Sequence, residues 1–386
     1  MRLGAVVAGA AMVAAGCSST PSSSGSSQNS SASASASAPA GVAAAQALIN
    51  KYLGNPVFTS PGSSFDASKA AGKTLFSLPA NSGVPFVETV DQVMGTYAKA
   101  LGLKYVDYPN QQQQSQWVQG MNQAISGKAN AIDLNSGIPP EQLKPQIIAA
   151  KSAGIPTVDT NERDRTQTSP SYVAAYTYAP FQLAGQLMAA WAVAQTKGKA
   201  DVLVITSNAD VSSMAVQNGI TSVMTETCPG CKMKLVNVNP VDWATDIPTT
   251  VEGAISGDPG INYILPVYDS MAPFAATGVV TAGKSGQIHI ATYNGTPSIL
   301  DQLRTGNVIA MDVGENTSDV AAAGLDQALR VMLGMKPGNE VITPKVIDKQ
   351  NVGEVGVPAV SGEGYGDAFA DGYAKTWGVS PSVLTG

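Results

Sequence analysis

From residue 73 onward, short apolar runs alternate with longer segments of helical spacing, and Gly, Pro, Asn and Asp punctuate the joins. The pattern predicts strands over 73–78, 104–108, 129–134, 156–160 and 172–177, with helices over 85–101, 115–126 and 139–152. It then restarts. Helices are predicted over 181–195, 213–225, 243–256, 270–282, 297–304 and 318–333, and strands over 201–206, 232–238, 262–265, 287–292 and 308–313. Ahead of this alternation, 43–53 has helical spacing and is broken by Pro56, Pro61 and Gly62. Repeated strand–helix units of this length imply parallel sheets with helices on both faces. The number of units exceeds what one compact sheet holds, so the expected fold class is α/β with two doubly wound parallel-sheet lobes.

Ligands of doubly wound sheets sit beyond the carboxyl ends of the strands. Two lobes facing each other would therefore line a cleft with the loops 80–85, 135–138, 159–164, 207–212, 240–243, 267–270, 293–296 and 312–316. These loops carry amides, hydroxyls and carboxylates: Asn81, Ser82, Asn135, Asp159, Asn161, Glu162, Asp269, Asn294 and Asp312. They also carry or adjoin aromatic residues, Phe86, Trp243, Tyr268 and Tyr293. Flat rings suit the C–H faces of a polyhydroxylated molecule, and amide or carboxylate groups take its hydroxyls in pairs. The same Asn and Asp residues also serve, in ordinary loops, to cap helices and shape turns.

The N-terminal region is different. Arg2 precedes an apolar run over 3–15, too short to span a bilayer and right for the hydrophobic part of an export signal. It ends in Ala14-Ala15-Gly16-Cys17, a small-residue approach to a cysteine similar to the lipobox of bacterial lipoproteins, in which the cysteine is acylated. An ordinary secretory signal with a chance cysteine is the alternative. Residues 18–40 are almost entirely Ser and Ala, a composition that cannot bury enough surface to fold and acts as a tether with a reach of roughly 25 Å.

Charge and chemistry narrow the function. Charged residues make up 13% of the 386, the net charge is −6, and there is no basic run, so nucleic acid is not an expected partner. His289 is the single histidine and sits in a predicted strand, which argues against a Ser-His-Asp hydrolase and against a multi-histidine metal site. Ala67-Ser68-Lys69-Ala70-Ala71-Gly72-Lys73-Thr74 fits a permissive phosphate-loop pattern but leads into a strand instead of opening a helix. Cys228-Pro229-Gly230-Cys231 reads outside the cell as a small structural disulfide between Cys228 and Cys231; a redox pair or zinc half-site would need a helix N-terminus or a second set of soft ligands. No metal and no cofactor is expected.

At the strand-end loops the chain resembles the type I periplasmic binding proteins of ABC importers, in the ribose-binding cluster, over about residues 72–345. Tyr293-Asn294-Gly295-Thr296-Pro297 is similar to that family's Phe-Asp-Gly-Thr-Pro turn. Tyr268-Asp269-Ser270-Met271-Ala272 resembles its Asn-Asp-x-Met-Ala, and Pro85-Phe86, Asp242-Trp243 and the run from Ile155-Pro156 to Asn161 fall at matching places. The resemblance implies that Phe86 and Trp243 sandwich the ligand and that Asn161, Tyr268 and Asn294 contact it. There are departures. Two family carboxylates are Asn161 and Asn294, one arginine is Glu162, a second falls at about Val216, and the hinge glutamine falls at Gly314. The solute is accordingly a sugar, a polyol or another small polar molecule, and Asp159, Asp269 and Asp312 leave room for a cationic group.

The domain plan that follows is a signal over 1–16, a lipidated Cys17 with its tether over 17–40, and a helix and linker over 41–71. A first lobe takes 72–177 with 314–343, and a second takes 178–313 with a tail over 344–386. Crossings fall near Thr177, Val313 and Thr343. The resemblance implies a monomer, anchored to the outer face of the membrane, that hands its solute to a permease and its ATPase. A receptor for a membrane sensor shares these features. A secreted sugar-acting enzyme would draw two carboxylates from Asp159, Asp269 and Asp312. A sugar-responsive repressor would need an N-terminal helix-turn-helix, where this chain has a signal and a tether.

Overall fold

The computed structural model describes residues 38–306 and 308–385. The expected export signal, Cys17 and nearly all of the tether lie outside these residues. Within them the first strand–helix series is β1 (Thr74–Pro79), α2 (Pro85–Ala100), β2 (Lys104–Asp107), α3 (Gln114–Ser126), β3 (Ala131–Asn135), α4 (Lys144–Ser152), β4 (Thr157–Thr160) and β5 (Ala175–Thr177), preceded by α1 (Ala38–Asn50). The five strands form one parallel sheet in the order β2-β1-β3-β4-β5. Alternation along the strands places Leu75 and Ala131 in the core on one face, and Phe76, Leu78, Ile132 and Leu134 in the core on the other. Both faces are therefore covered, as parallel sheets require.

The second series is α5 (Phe181–Gln195), β6 (Asp201–Thr206), α6 (Val211–Ser222), β7 (Lys232–Asn237), α7 (Trp243–Gly257), β8 (Tyr263–Pro266), α8 (Ala272–Thr281), β9 (His289–Asn294), α9 (Pro297–Thr305) and β10 (Ile309–Gly314). After α10 (Thr317–Met332) the chain adds β11 (Lys345–Asp348), α11 (Ala368–Trp377) and α12 (Ser382–Thr385). The second sheet runs β11-β10-β9-β8-β6-β7, parallel except where β11 meets β10. Central β6 is buried at every position, whereas edge strand β7 exposes Lys232 and Lys234, charges that blunt the free edge. Helices α5 and α6 touch backbone to backbone. A Cβ on Gly185 would stand 2.0 Å from the Val216 carbonyl oxygen, and one on Gly219 would stand 2.0 Å from that of Gln182.

Two expectations change. Strand β9 starts at His289 instead of 287, because the amides of Gln287 and Ile288 turn back to the Lys284 carbonyl. The tail over 344–386 does not stay on the second lobe. Strand β11 and Tyr365 join that lobe's core, but Ala370, Tyr373, Ala374 and Trp377 of α11 pack with α2 and α10 in the core of the first. Their spacing gives α11 an apolar stripe that the sequence reading passed over. Trp377 donates from Nε1 to Asp326 Oδ1 at 2.8 Å, and Tyr373 donates to Glu340 Oε2 at 2.7 Å. Helix α1, in turn, belongs to the second lobe, where Ala45 and Ile49 are core residues.

The chain crosses between lobes after β5, after β10 and between α10 and β11, and the tail returns after β11. Glu315 stands at the second crossing. Its Oε1 accepts from Asn161 Nδ2 at 3.1 Å, at the end of β4, and its Oε2 accepts from the Tyr293 hydroxyl at 2.5 Å, in β9. One buried carboxyl thus ties both lobes at the hinge. Burial raises it to about 7, against the smaller lowering effect of the two donors. Burial also raises Asp133 and Asp319 to about 7.

Carboxyls raised in this way favour the fold most while protonated. Their contribution is complete below the ordinary carboxyl range and is lost as pH climbs through about 7. The melting temperature is therefore expected to fall between about pH 5 and about pH 8. Glu315→Gln, which stays neutral, should remove roughly 3 kcal/mol of that pH-dependent difference. Scanning calorimetry across this range tests it, and a profile that is flat or rises with pH would contradict it.

Candidate functional site

The carboxyl ends of β1, β3 and β4 face those of β6, β7, β8 and β9 across a cavity of about 650 Å³, a size suited to a small solute. Each wall residue stands on a strand end or at the start of the following helix. Pro85 opens α2 and places Phe86 at its mouth, with the ring largely buried. Trp243 opens α7, and its Nε1 donates to the Val238 carbonyl at 3.1 Å, which fixes the indole at the rim. Tyr268 follows β8. Its hydroxyl donates to Ser212 Oγ at 2.7 Å and accepts from Ser213 Oγ at 3.0 Å, so the ring is pinned from α6.

Three polar wall residues depart from ordinary backbone conformation. Ser136 has φ 58°, Asn161 φ 58° and Asn294 φ 145°. Residues with side chains rarely occupy these regions, and such strain concentrates where a side chain must be presented in a set direction. Asn161 gives its Nδ2 to Glu315 and keeps its Oδ1 for the cavity.

Asp269 lines the wall, and Asp312 stands behind it. Asp269 Oδ2 accepts from the Thr296 amide at 2.7 Å and Asp312 Oδ1 from the Gly295 amide at 3.1 Å, while the other oxygen of each, Asp269 Oδ1 and Asp312 Oδ2, has no hydrogen-bond partner. Burial pushes both upward, and Asp269 beside it drives Asp312 further still. The work of the pair is to clamp the turn from Asn294 to Thr296.

Of the residues singled out from the sequence, the cavity brings together Asn81, Phe86, Asn161, Trp243, Tyr268, Asp269 and Asn294. Four others are turned away. Ser82 accepts from the Asn110 amide at 3.1 Å in the loop behind Asn81. Asn135 is fully buried, donating to Asp91 Oδ1 at 3.2 Å and accepting from Ser136 Oγ at 2.6 Å, so its neighbour Ser136 takes the wall. Asp159 points into the first lobe, 3.7 Å from Arg163 Nε, and Asp312 is the clamp just described. At the end of β3 the change of direction from one residue to the next turns Asn135 inward and Ser136 to the wall.

The sequence reading missed Asp210, Ser212, Phe181, Phe274, Thr296 and the glutamines at 111–113. The glutamine run was a usable signal: Gln112 Oε1 accepts from Asn81 Nδ2 at 3.3 Å and closes that side of the cavity. The departures noted above also take physical form. Val216 is wholly buried in α6. A Cβ on Gly314 would stand 2.1 Å from the Tyr365 hydroxyl, so the tail fills the space a longer side chain would need. Cys228 and Cys231 are bonded to each other in the turn before β7, away from the cavity wall.

Comparison with known proteins agrees with this geometry. The family model for the periplasmic binding protein domain matches residues 75–336. The D-ribose/D-allose-binding protein of Pseudomonas aeruginosa is 24% identical over 197 residues, 51% of this chain and 54% of that protein. The chain spans about half the length of the curated relatives it matches. A solved 5-methylthioribose transporter solute-binding protein from Thermotoga lettingae superposes with a TM-score of 0.68 at 19% identity, covering 82% of this chain and 97% of that one. An Agrobacterium vitis solute-binding protein with bound allitol gives 0.64 at 18% identity, covering 74% and 98%. Two like-ordered parallel sheets, strand ends facing across a cavity, and a family match over most of the chain lead to one assignment: the chain belongs to the periplasmic binding protein family.

Proposed function

We propose that the protein is an extracytoplasmic substrate-binding lipoprotein of an ABC importer, capturing a sugar, polyol or similar small polar solute by closure of its two lobes. The observation that carries this reading is the cavity itself, where rings and amides from both lobes meet at strand ends. Phe86 comes from the first lobe and Trp243 from the second, so a solute between them is gripped only when the lobes approach. Closure is then favoured by the solute's extra affinity for the closed form. The solutes named for related proteins, ribose, allose, allitol and 5-methylthioribose, are of the matching chemical class.

Binding without catalysis fits the carboxyls. A glycosidase sets an acid and a base, or a nucleophile, on either side of the scissile bond, several ångströms apart. Asp269 and Asp312 instead stand side by side, each accepting from a backbone amide of one turn, and Asp159 faces away. The permease and its ATPase are the partners that would read the closed shape, and the acylated Cys17 would hold the protein at the membrane.

Two measurements test the proposal. In a thermal-shift screen against sugars and polyols, a solute at a hundred times its dissociation constant should add about 2.7 kcal/mol of stability. Trp243→Ala should weaken the best solute by about thirtyfold, the equivalent of ~2 kcal/mol. A screen with no stabilising solute, or a variant that binds as wild type, would sink the reading of the cavity. For the anchor, Cys17→Ser should move the protein from the detergent phase to the aqueous phase in cloud-point partitioning; an unchanged distribution would refute lipidation at that residue.

A further inference from the structure

The electrostatics of the cavity are one-sided. Its wall includes Asp210 and Asp269 and no Lys, Arg or His. Asp269 is held by the Thr296 amide through Oδ2, and Asp210 precedes α6 without capping it; burial raises both carboxyls. Opposite, on the first lobe, stands Glu162, the residue after Asn161. It is 1% exposed, and its Oε1 has no hydrogen-bond partner. Its Oε2 lies 3.8 Å from the point a Cβ on Gly137 would occupy. Gly137 belongs to the cavity wall and carries no side chain, so the Glu162 carboxyl stands close to that part of the wall.

Arg163 is the cation that acts on Glu162, and it is divided among Glu141 Oε2 at 3.0 Å, Asp159 at 3.7 Å and the Thr168 carbonyl at 2.6 Å. Glu141, Asp159 and Glu162 thus share a single guanidinium, and the cavity wall offers Asp210 no cation. Burial first, then Asp159, holds Glu162 well above the usual carboxylate range; Arg163 opposes them and Asp210 adds to them. Tyr268, on the wall, feels Asp210 and, more weakly, Glu162. A buried carboxyl with a free oxygen and a shared counter-ion is costly, and a positively charged ligand group removes that cost where a neutral hydroxyl only accepts or donates a hydrogen bond.

We propose that the solute carries a cationic nitrogen, an amine on a small polyhydroxylated frame, seated between Glu162 of the first lobe and Asp210 of the second. This rests on the solute-capture reading above and names the solute class. Because the acids come from opposite lobes, the amine would also draw the lobes together. The aromatic residues at the same wall, Tyr268 and Trp243, favour a cation near their faces as well.

The test is calorimetric titration of the protein with matched pairs: D-glucosamine against D-glucose, D-galactosamine against D-galactose, and 1-amino-1-deoxy-D-sorbitol against D-sorbitol, with D-glucuronate as the anionic control. In at least one pair the amine is expected to bind about tenfold tighter or better, with no binding of glucuronate. Glu162→Gln and Asp210→Asn should each bring that ratio close to one. Glu162→Gln should melt, unliganded, at or above the wild-type temperature, since it removes an unpaired buried acid; if it does not fold, Asp210→Asn, at the partly exposed wall, decides alone. Neutral members binding as well as their amines, glucuronate binding, or a preference that survives the substitutions would overturn this inference and leave solute capture standing. Binding of no member of any pair would overturn it together with the sugar and polyol reading.

Discussion

Glu315 receives a hydrogen bond from each lobe, and the geometry of the site follows from that. Its position after β10 puts it where the chain passes from the second lobe to the first. Asn161 and Tyr293 then fix how the ends of β4 and β9 face each other at the hinge. The price is a carboxyl buried without a cation. Two donors offset part of it: their hydrogen bonds favour the charged carboxylate, while the larger effect of burial favours the neutral form. Because Asn161 is both a wall residue and a partner of the tie, ligand contact and lobe geometry share one side chain. A solute donating to Asn161 Oδ1 acts on the same amide that holds Glu315.

The strand ends divide their polar residues into two classes. Residues at or just past the last strand position reach the cavity, as Asn81, Ser136, Asn161 and Asn294 do. Others become supports buried within a lobe, as Asn135 does under Ser136 and Asp312 behind Asp269. The supports are not idle. Asp91 collects Ser77, Tyr105 and Asn135, and the Asp269–Asp312 pair clamps two amides of the turn after β9. Hydrogen bonds made by these groups behind the wall help keep the wall residues in their strained conformations.

Most of the fold was legible because parallel α/β units write themselves twice, once as buried runs and once as helical spacing. β6, with Val202, Leu203, Val204 and Ile205 all buried, is the clearest case. The tail was harder. Its stripe of Ala370, Tyr373, Ala374 and Trp377 is short, and only contact with Phe58, Asp326 and Glu340, distant in sequence, shows which lobe it serves. At the site, loop membership was readable but direction was not. Choosing Asn135 over Ser136 depends on register at the last strand residue, where one step reverses the side chain. Asp210 and Glu162 were visible as residues, but how thinly Arg163 is divided among Glu141, Asp159 and Glu162 appears only in the folded chain.

The tail also explains how the hinge dispenses with a long polar side chain at position 314. Tyr365 enters from the segment after β11, and its hydroxyl lies where a Cβ on Gly314 or Gly295 would stand, at 2.1 Å and 2.4 Å. Both positions must then be glycine, and Gly295 can adopt its φ of 74° without penalty. The ring fills the hinge behind the cavity, near Asp269, Asp312 and Glu315, and its burial and their charge keep the phenol protonated. A neutral aromatic group therefore backs the same turn that the carboxyl pair clamps. Asn294 is held in its strained conformation from both sides, and the cavity takes its shape from a segment that contributes no wall residue.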